Sequence, residues 1–176
     1  HAIPRRQRQM CIRDRSLIKT YKDFPKKGIA FKDLLGIIQD SEIFRELILR
    51  MSLNHVIKNS EAIISIEARG FIFGSAISLQ ARKPIIVARK PGKLPGEIFQ
   101  ENYDLEYGSN SLSIEKEALE KFSSYAIVDD LLATGGTVDC VTRLINKSGK
   151  KISGLLTVVE LIELKGRSRF DFPVES

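Results

Sequence analysis

The sequence predicts an α/β fold with a central, mainly parallel sheet flanked by helices. Four short apolar runs are nearly continuous in hydrophobicity, as strands covered on both faces are, namely residues 62–66, 85–88, 125–128 and 155–159. Longer segments with helical spacing of apolar residues separate them, which is typical of parallel strands joined by crossover helices. No run approaches the roughly 20 apolar residues that a membrane-spanning helix needs, so a membrane span is not expected.

The helices and one irregular segment are predicted between these strands. Residues 41–58 are predicted as one helix, because Glu42 lies in the first turn and apolar residues recur on one face. Residues 70–81 and 134–148 are predicted as crossover helices. In residues 92–114, Pro, Gly, Ser and Asn interrupt an alternation of polar and apolar residues, which predicts an exposed hairpin or a mobile loop.

The charge of the chain is concentrated near its start. Of 176 residues, 28 are Lys or Arg and 22 are Asp or Glu, a net charge of +6. Residues 1–15 hold five arginines and one acid, so they carry +4 of this total. That segment resembles translated sequencing-adapter sequence, so we expect it to be a non-native tail. The alternative is a basic arm that contacts RNA or anionic lipid. Residues 16–176 are expected to form one domain, and the two cysteines favour a reducing cytoplasm.

The strongest signal for a binding site lies in residues 126–137. An apolar strand leads into Asp129 and Asp130, and a turn of small residues then opens a helix, namely Ala133, Thr134, Gly135, Gly136 and Thr137. Such a turn lets backbone amides approach a phosphate, and the helix adds its positive N-terminal end. The carboxylates would repel a phosphate unless they face a ribose diol or a hydrated Mg²⁺. The pattern therefore predicts a sugar-phosphate site, the alternative being a turn whose glycines serve geometry alone.

The run from Val128 to Thr137 resembles the ribose-5-phosphate signature of the type I phosphoribosyltransferases. Further segments resemble the adenine-specific members of that family and occur in the family's order, namely residues 23–33, 67–71, 89–95 and 103–108. The similarity covers residues 17–170. It implies a single phosphoribosyltransferase domain with a mobile β-hairpin over the site, and it implies that the chain stops short of a final strand.

The resemblance also implies an activity and its partners. The expected reaction transfers the 5-phosphoribosyl group of phosphoribosyl pyrophosphate (PRPP) to adenine, giving AMP and pyrophosphate. Mg²⁺ is the expected cofactor, held through pyrophosphate and water rather than by a protein ligand. A homodimer is expected, with no membrane and no specific nucleic acid as partner. Two alternatives remain open, namely transfer to hypoxanthine, guanine or xanthine, and a PRPP-sensing regulator that binds nucleic acid.

Residue roles follow from the same resemblance. Asp129 and Asp130 would hold the ribose hydroxyls, and residues 133–137 would hold the 5-phosphate. The expected pyrophosphate residues are Ala68, Arg69, Gly70, Arg89, Lys90 and Lys93. The expected adenine residues are Ala30, Phe31 and Lys32, with Glu106 exchanging a proton with the base and Tyr107 shaping the closed hairpin. As alternatives, Phe31 is a core residue, Glu106 faces solvent on a strand, and the cations of residues 89–93 belong to a solvated loop.

Overall fold

In the computed structural model, the described residues are 17–23, 27, 30–105 and 108–176. They fall into two compact units, which divide after Leu49 and are described separately. In the first unit, strand β1 (Lys19–Lys22) pairs antiparallel with β2 (Ala30–Asp33). The short helix α1 (Leu35–Gln39) follows, and the side chain of Asp33 accepts a hydrogen bond of 2.9 Å from the amide of Leu35.

The segment predicted as one helix over residues 41–58 forms two helices, so that prediction is wrong in its extent. Helix α2 (Ser41–Ser52) ends before Asn54, and α3 (His55–Lys58) begins after it. Asn54 is extended and its side chain accepts the amide of Val56 at 2.9 Å, which makes it the N-cap of α3. Asn competes with the helical backbone for hydrogen bonds, so it favours a cap over a helix interior.

The second unit contains a parallel sheet of five strands in the order β4–β3–β7–β8–β9, which confirms the predicted fold class. The strands are β3 (Ala62–Ile66), β4 (Ile85–Ala88), β7 (Ser124–Leu132), β8 (Lys151–Glu160) and β9 (Val174–Glu175). Strands β3 and β4 have the predicted bounds, whereas β7 and β8 are longer than the sequence predicted. Their pairing continues from Asp129 opposite Thr157 to Leu132 opposite Glu160, so both acids lie inside β7 rather than after it.

The helices of the second unit cover this sheet. Helix α4 (Gly70–Ala81) packs on β3 and β7, and α6 (Gly136–Lys147) contacts β8. A separate pair of strands, β5 (Ile98–Leu105) and β6 (Gly108–Glu115), also contacts α6, and the short helix α5 (Lys116–Glu120) packs on β6. Two 3-10 turns follow β8, namely Ile162–Leu164 and Gly166–Arg169. Ile64, Ile127, Val141 and Leu155 are fully buried in the core between the layers. No helix in the described ranges is long and apolar enough to cross a membrane.

The irregular segment forms a hairpin. Strand β5 (Ile98–Leu105) pairs antiparallel with β6 (Gly108–Glu115), from Ile98 opposite Glu115 to Leu105 opposite Gly108. The hairpin predicted within residues 92–114 is therefore confirmed. Its strand β5 is fastened to α6, where Cys140 Sγ donates to the carbonyl of Glu101 at 3.3 Å and Arg143 lies 3.5 Å from the Glu101 carboxylate.

Candidate active site

The candidate site lies where β3 and β7 end. The two strands are parallel neighbours, with Ser65 opposite Val128. Each is followed by a turn and a helix, residues 67–69 with α4 and residues 133–135 with α6. Ligands of open parallel sheets bind at the carboxyl ends of the strands, so the topology brings both predicted phosphate segments to one edge of the sheet.

Two buried acids lie side by side at this edge. Asp129 keeps 9% and Asp130 6% of its surface exposed, and the amide of Asp130 donates to Asp129 Oδ1 at 2.9 Å. Burial raises the pKa of Asp129 well above its ordinary range, and the neighbouring charge of Asp130 raises it further. Asp130 has a cationic neighbour, because Arg69 Nε lies 2.7 Å from its Oδ2. The two acids therefore have different partners.

Gly70 allows α4 to start against this pair. A Cβ atom at that position would lie 2.8 Å from Asp129 Oδ1 and 3.3 Å from the carbonyl oxygen of Val128. Real Cβ atoms do not approach an oxygen so closely, so a side chain here would push the helix away from β7. The sequence predicted Arg69 and Gly70 at the site, and the structure brings both against the acids.

The predicted phosphate loop opens α6. Gly135 has a φ of +84°, a left-handed conformation that favours glycine, and the first helical bond runs from the amide of Asp139 to its carbonyl at 2.8 Å. Helix geometry directs the amides before Asp139 out of the N-terminal end, where an anion can accept from them. Thr134 is exposed beside them. The loop thus has the geometry of an anion site next to the two acids.

Residues 166–170, which were not predicted as part of the site, pack against the phosphate loop. A Cβ on Gly135 would lie 3.1 Å from the carbonyl oxygen of Gly166 and 3.2 Å from the ring of Phe170. A Cβ on Gly166 would collide with the carbonyl of Ala133. The segment is held in turn by Arg167, whose Nε donates to Glu160 at 2.8 Å and lowers the pKa of that carboxyl. Only the glycine at position 166 hinted at this close packing.

The three predicted pyrophosphate cations lie after β4, and two of them are paired with Glu67 at the end of β3. Lys93 Nζ lies 2.6 Å from Glu67 Oε1, and Arg89 Nε lies 3.4 Å from Oε2. The amide of Lys90 donates to Oε2 at 2.9 Å. The pKa of Glu67 is lowered to about 2, mainly by the hydrogen bond from the Lys93 ammonium. Burial opposes this shift, and the hydrogen bond from the amide of Lys90 adds to it. Glu67 is not among the site residues predicted from the sequence.

The site described above belongs to the second unit, whereas the residues predicted to bind adenine belong to the first. Ala30, Phe31 and Lys32 form β2 in the first unit, where Lys32 Nζ donates to Thr20 Oγ1 at 2.9 Å. Glu106 and Tyr107 lie outside the described residues. Within the described ranges, no group of three or more His, Cys, Asp or Glu side chains could hold a metal ion.

Comparison with known proteins decides the family. Residues 36–173 match the family of the phosphoribosyl transferase domain. The chain belongs to the phosphoribosyltransferases. An adenine phosphoribosyltransferase of Prochlorococcus marinus (strain MIT 9515) is 69% identical over 160 residues, which span 91% of this chain and 94% of that relative. One from Clostridium perfringens (strain SM101 / Type A) is 44% identical, over 91% of this chain and 92% of the relative.

Solved phosphoribosyltransferases share the architecture. The adenine phosphoribosyltransferase of Saccharomyces cerevisiae, solved with an imino-altritol bisphosphate and adenine, superposes with a TM-score of 0.87 and 34% identity, covering 95% of this chain and 97% of that one. The enzyme of Rhodothermus marinus gives a TM-score of 0.87 and 32% identity, over 96% and 97% of the two chains. The family resemblance read from the sequence motifs is therefore confirmed over nearly the whole chain.

Proposed function

We propose that this protein transfers the 5-phosphoribosyl group of PRPP to adenine, forming AMP and pyrophosphate. The observation that carries the proposal is the juxtaposition of the acids of β7 with the anion loop at the start of α6. A ribose 5-phosphate presents a diol and a phosphate on one small molecule, so it suits carboxylates that lie next to an anion site. The relatives at 44% and 69% identity are both named adenine phosphoribosyltransferase, which supports adenine as the acceptor over another purine.

In the proposed complex, residues 133–137 hold the 5-phosphate through backbone amides and the hydroxyls of Thr134 and Thr137. Asp129 and Asp130 accept hydrogen bonds from the ribose hydroxyls. Their negative charge also stabilises the positive charge that develops on the ribosyl carbon as the bond to pyrophosphate breaks. Most of the rate enhancement would come from this positioning and charge complementarity.

The leaving pyrophosphate would bind the turn at Ala68, Arg69 and Gly70 and the cations of residues 89–93. Arg69 would supply charge-assisted hydrogen bonds at the start of α4. Mg²⁺ prefers oxygen ligands and keeps several waters, so it fits as an ion carried by pyrophosphate oxygens beside the acids. When bound, it would neutralise part of the charge on the leaving group.

Adenine would be recognised by Phe31, which packs on the ring, and by the backbone of Ala30 and Lys32. Glu106 would exchange a proton with a ring nitrogen, and Tyr107 would help close the hairpin over the site. Closure excludes water, which would otherwise attack the ribosyl centre.

We also propose that the protein works as a homodimer in the cytoplasm. Helix α4 packs on the sheet with one face, yet its outer face carries Ile72 and Leu79, the latter 83% exposed. A helix that is apolar all round is normally covered on both sides, so a second copy is the expected cover. A chain with two cysteines is compatible with the reducing cytoplasm.

The test is turnover with PRPP and adenine. AMP and pyrophosphate should form in equal amounts, and a protein that binds both substrates without forming them would contradict the proposal. In single-turnover measurements, Glu106→Gln should slow AMP formation about 100-fold or more, because Gln cannot exchange the proton. A rate within about threefold of the unmodified protein would remove Glu106 from the mechanism.

A further inference from the structure

Glu67 is the shared partner of the groups assigned to pyrophosphate. Its carboxylate receives the ammonium of Lys93 at 2.6 Å, the amide of Lys90 at 2.9 Å and the guanidinium of Arg89 at 3.4 Å. Two cations and one amide thus converge on a single carboxylate. We call Glu67, Arg89, Lys90 and Lys93 the counter-ion cluster.

Backbone hydrogen bonds place the loop after β4 next to Glu67. The amide of Glu67 donates to the carbonyl of Ala88 at 2.9 Å, so the end of β3 is joined to the end of β4. The loop after β4 then folds back over the Glu67 side chain, and Arg89 Nη1 donates to the carbonyl of Lys93 at 3.3 Å. The loop is therefore closed on itself around the carboxylate.

The Glu67 side chain is much less exposed to solvent than the two cationic side chains that contact it. The Glu67 side chain is 8% exposed, whereas that of Lys93 is 47% exposed and that of Arg89 is 33% exposed. The carboxylate is covered by the loop, whereas each cation remains partly exposed to solvent. An anion arriving from solvent can contact Lys93 and Arg89 without displacing the loop, but it must share their charge with Glu67.

We propose that Glu67 is a built-in counter-ion of the pyrophosphate subsite, which holds Arg89 and Lys93 in place while the subsite is empty and weakens the binding of pyrophosphate when it is filled. The inference rests on the proposed function, because it takes these cations as pyrophosphate ligands. Pyrophosphate carries several negative charges and could bind an uncompensated cluster of cations tightly. The carboxylate would keep that affinity low enough for the product to leave. The low pKa of Glu67 keeps this charge in place throughout the neutral range.

Glu67→Gln should strengthen the binding of pyrophosphate. Gln keeps the size of the side chain and an oxygen that accepts from the amide of Lys90, but it removes the competing charge. Pyrophosphate, titrated calorimetrically as its magnesium salt, should therefore bind about fivefold more tightly, as expected for the loss of a partly exposed charge pair. AMP affinity should not change, because its phosphate binds at the start of α6. A gain in affinity is a result that structural damage would not produce.

Controls isolate the charge effect. Glu117→Gln makes the same substitution in an exposed pair with Lys121 at 3.1 Å on α5, and it should leave pyrophosphate affinity unchanged. Lys93→Met should weaken pyrophosphate binding, and Glu67→Gln should give a smaller gain in that background, since the cation it releases is missing. If Glu67→Gln fails to fold, Glu67→Asp is used instead, because it moves the carboxylate away from the cations by one methylene. It should also increase pyrophosphate affinity, by a smaller factor.

The outcomes separate this inference from the proposed function. If the unmodified protein binds no pyrophosphate and makes no AMP, the proposed function fails. If the unmodified protein does both, and the folded Glu67 variant binds pyrophosphate equally or more weakly, the counter-ion inference alone is overturned. If the variant binds more tightly and the gain shrinks in the Lys93→Met background, the inference is supported.

Discussion

The buried acid Asp129 gives a prediction in which stability and activity change in opposite directions. Asp129→Asn should raise the melting temperature of the ligand-free protein at pH 7.5 while lowering its use of PRPP. The carboxylate is almost fully buried beside the charge of Asp130, and both conditions disfavour its ionised form. Asn is neutral and keeps the oxygen that accepts from the amide of Asp130. It therefore removes an electrostatic cost but also a charged acceptor for the ribose diol.

The sign of the pH dependence follows from the raised pKa of Asp129. The folded protein holds this proton more tightly than the unfolded chain, so the acid favours folding at low pH, and that contribution is lost as the pH rises through the folded pKa. The advantage of Asn should therefore be small near pH 4 and should grow as the pH rises toward 7.5. Removal of such a cost is worth about 1–2 kcal/mol, or about 2–8 °C in melting temperature for a chain of this length.

The two effects are measured on the same sample. Melting temperatures between pH 4 and 8 test the electrostatic cost, and Glu117→Gln is the control, since it removes one carboxylate from a side chain that is 86% exposed. Loss of a charge-assisted hydrogen bond of about 1.5–3 kcal/mol should lower kcat/KM for PRPP by about 10- to 150-fold. A folded variant that melts no higher at pH 7.5 would refute the burial argument. Unchanged PRPP kinetics would refute the ribose assignment.

Two further variants test the packing around the site. Gly70→Ala places a Cβ 2.8 Å from Asp129 Oδ1. It should lower the free energy of unfolding by about 1–3 kcal/mol, measured by chemical denaturation, and raise KM for PRPP. Ser75→Ala on the same helix is the control and should do neither. Arg143→Ala removes the contacts of Arg143 with Glu101 and Asn102, which join α6 to strand β5, so hydrogen exchange should quicken in residues 98–105 and kcat should fall. Arg45→Ala, in an exposed pair on α2, is the control. Unaltered exchange in β5 would show that Arg143 does not hold the hairpin.

Local patterns in the sequence predicted the elements that depend on neighbouring residues. The strands β3 and β4 and the helix α4 have the predicted bounds, because each is a short apolar run or a periodic segment bounded by its own turn residues. The break at Asn54 was readable as well, since Asn two residues before an apolar pair is a capping signal. The apolar periodicity that continues through it masked the break.

Other features depend on contacts between residues far apart in the chain. The length of β7 follows from its pairing with β8, so the position of Asp129 inside the strand could not be read from residues 125–130. Glu67 meets Lys93 across 26 positions, and the charge pattern does not show which carboxylate a basic loop will meet. The support that Gly166 gives to Ala133 is equally non-local.

The most direct test of the central claim is a competition among free bases. PRPP and Mg²⁺ are supplied with equal concentrations of adenine, hypoxanthine, guanine and xanthine, and the mononucleotides formed are separated and counted. The proposed function predicts AMP as the dominant product, with pyrophosphate released in an equal amount. Predominant formation of IMP, GMP or XMP would contradict adenine as the acceptor, and the absence of any mononucleotide from folded protein would contradict phosphoribosyl transfer itself.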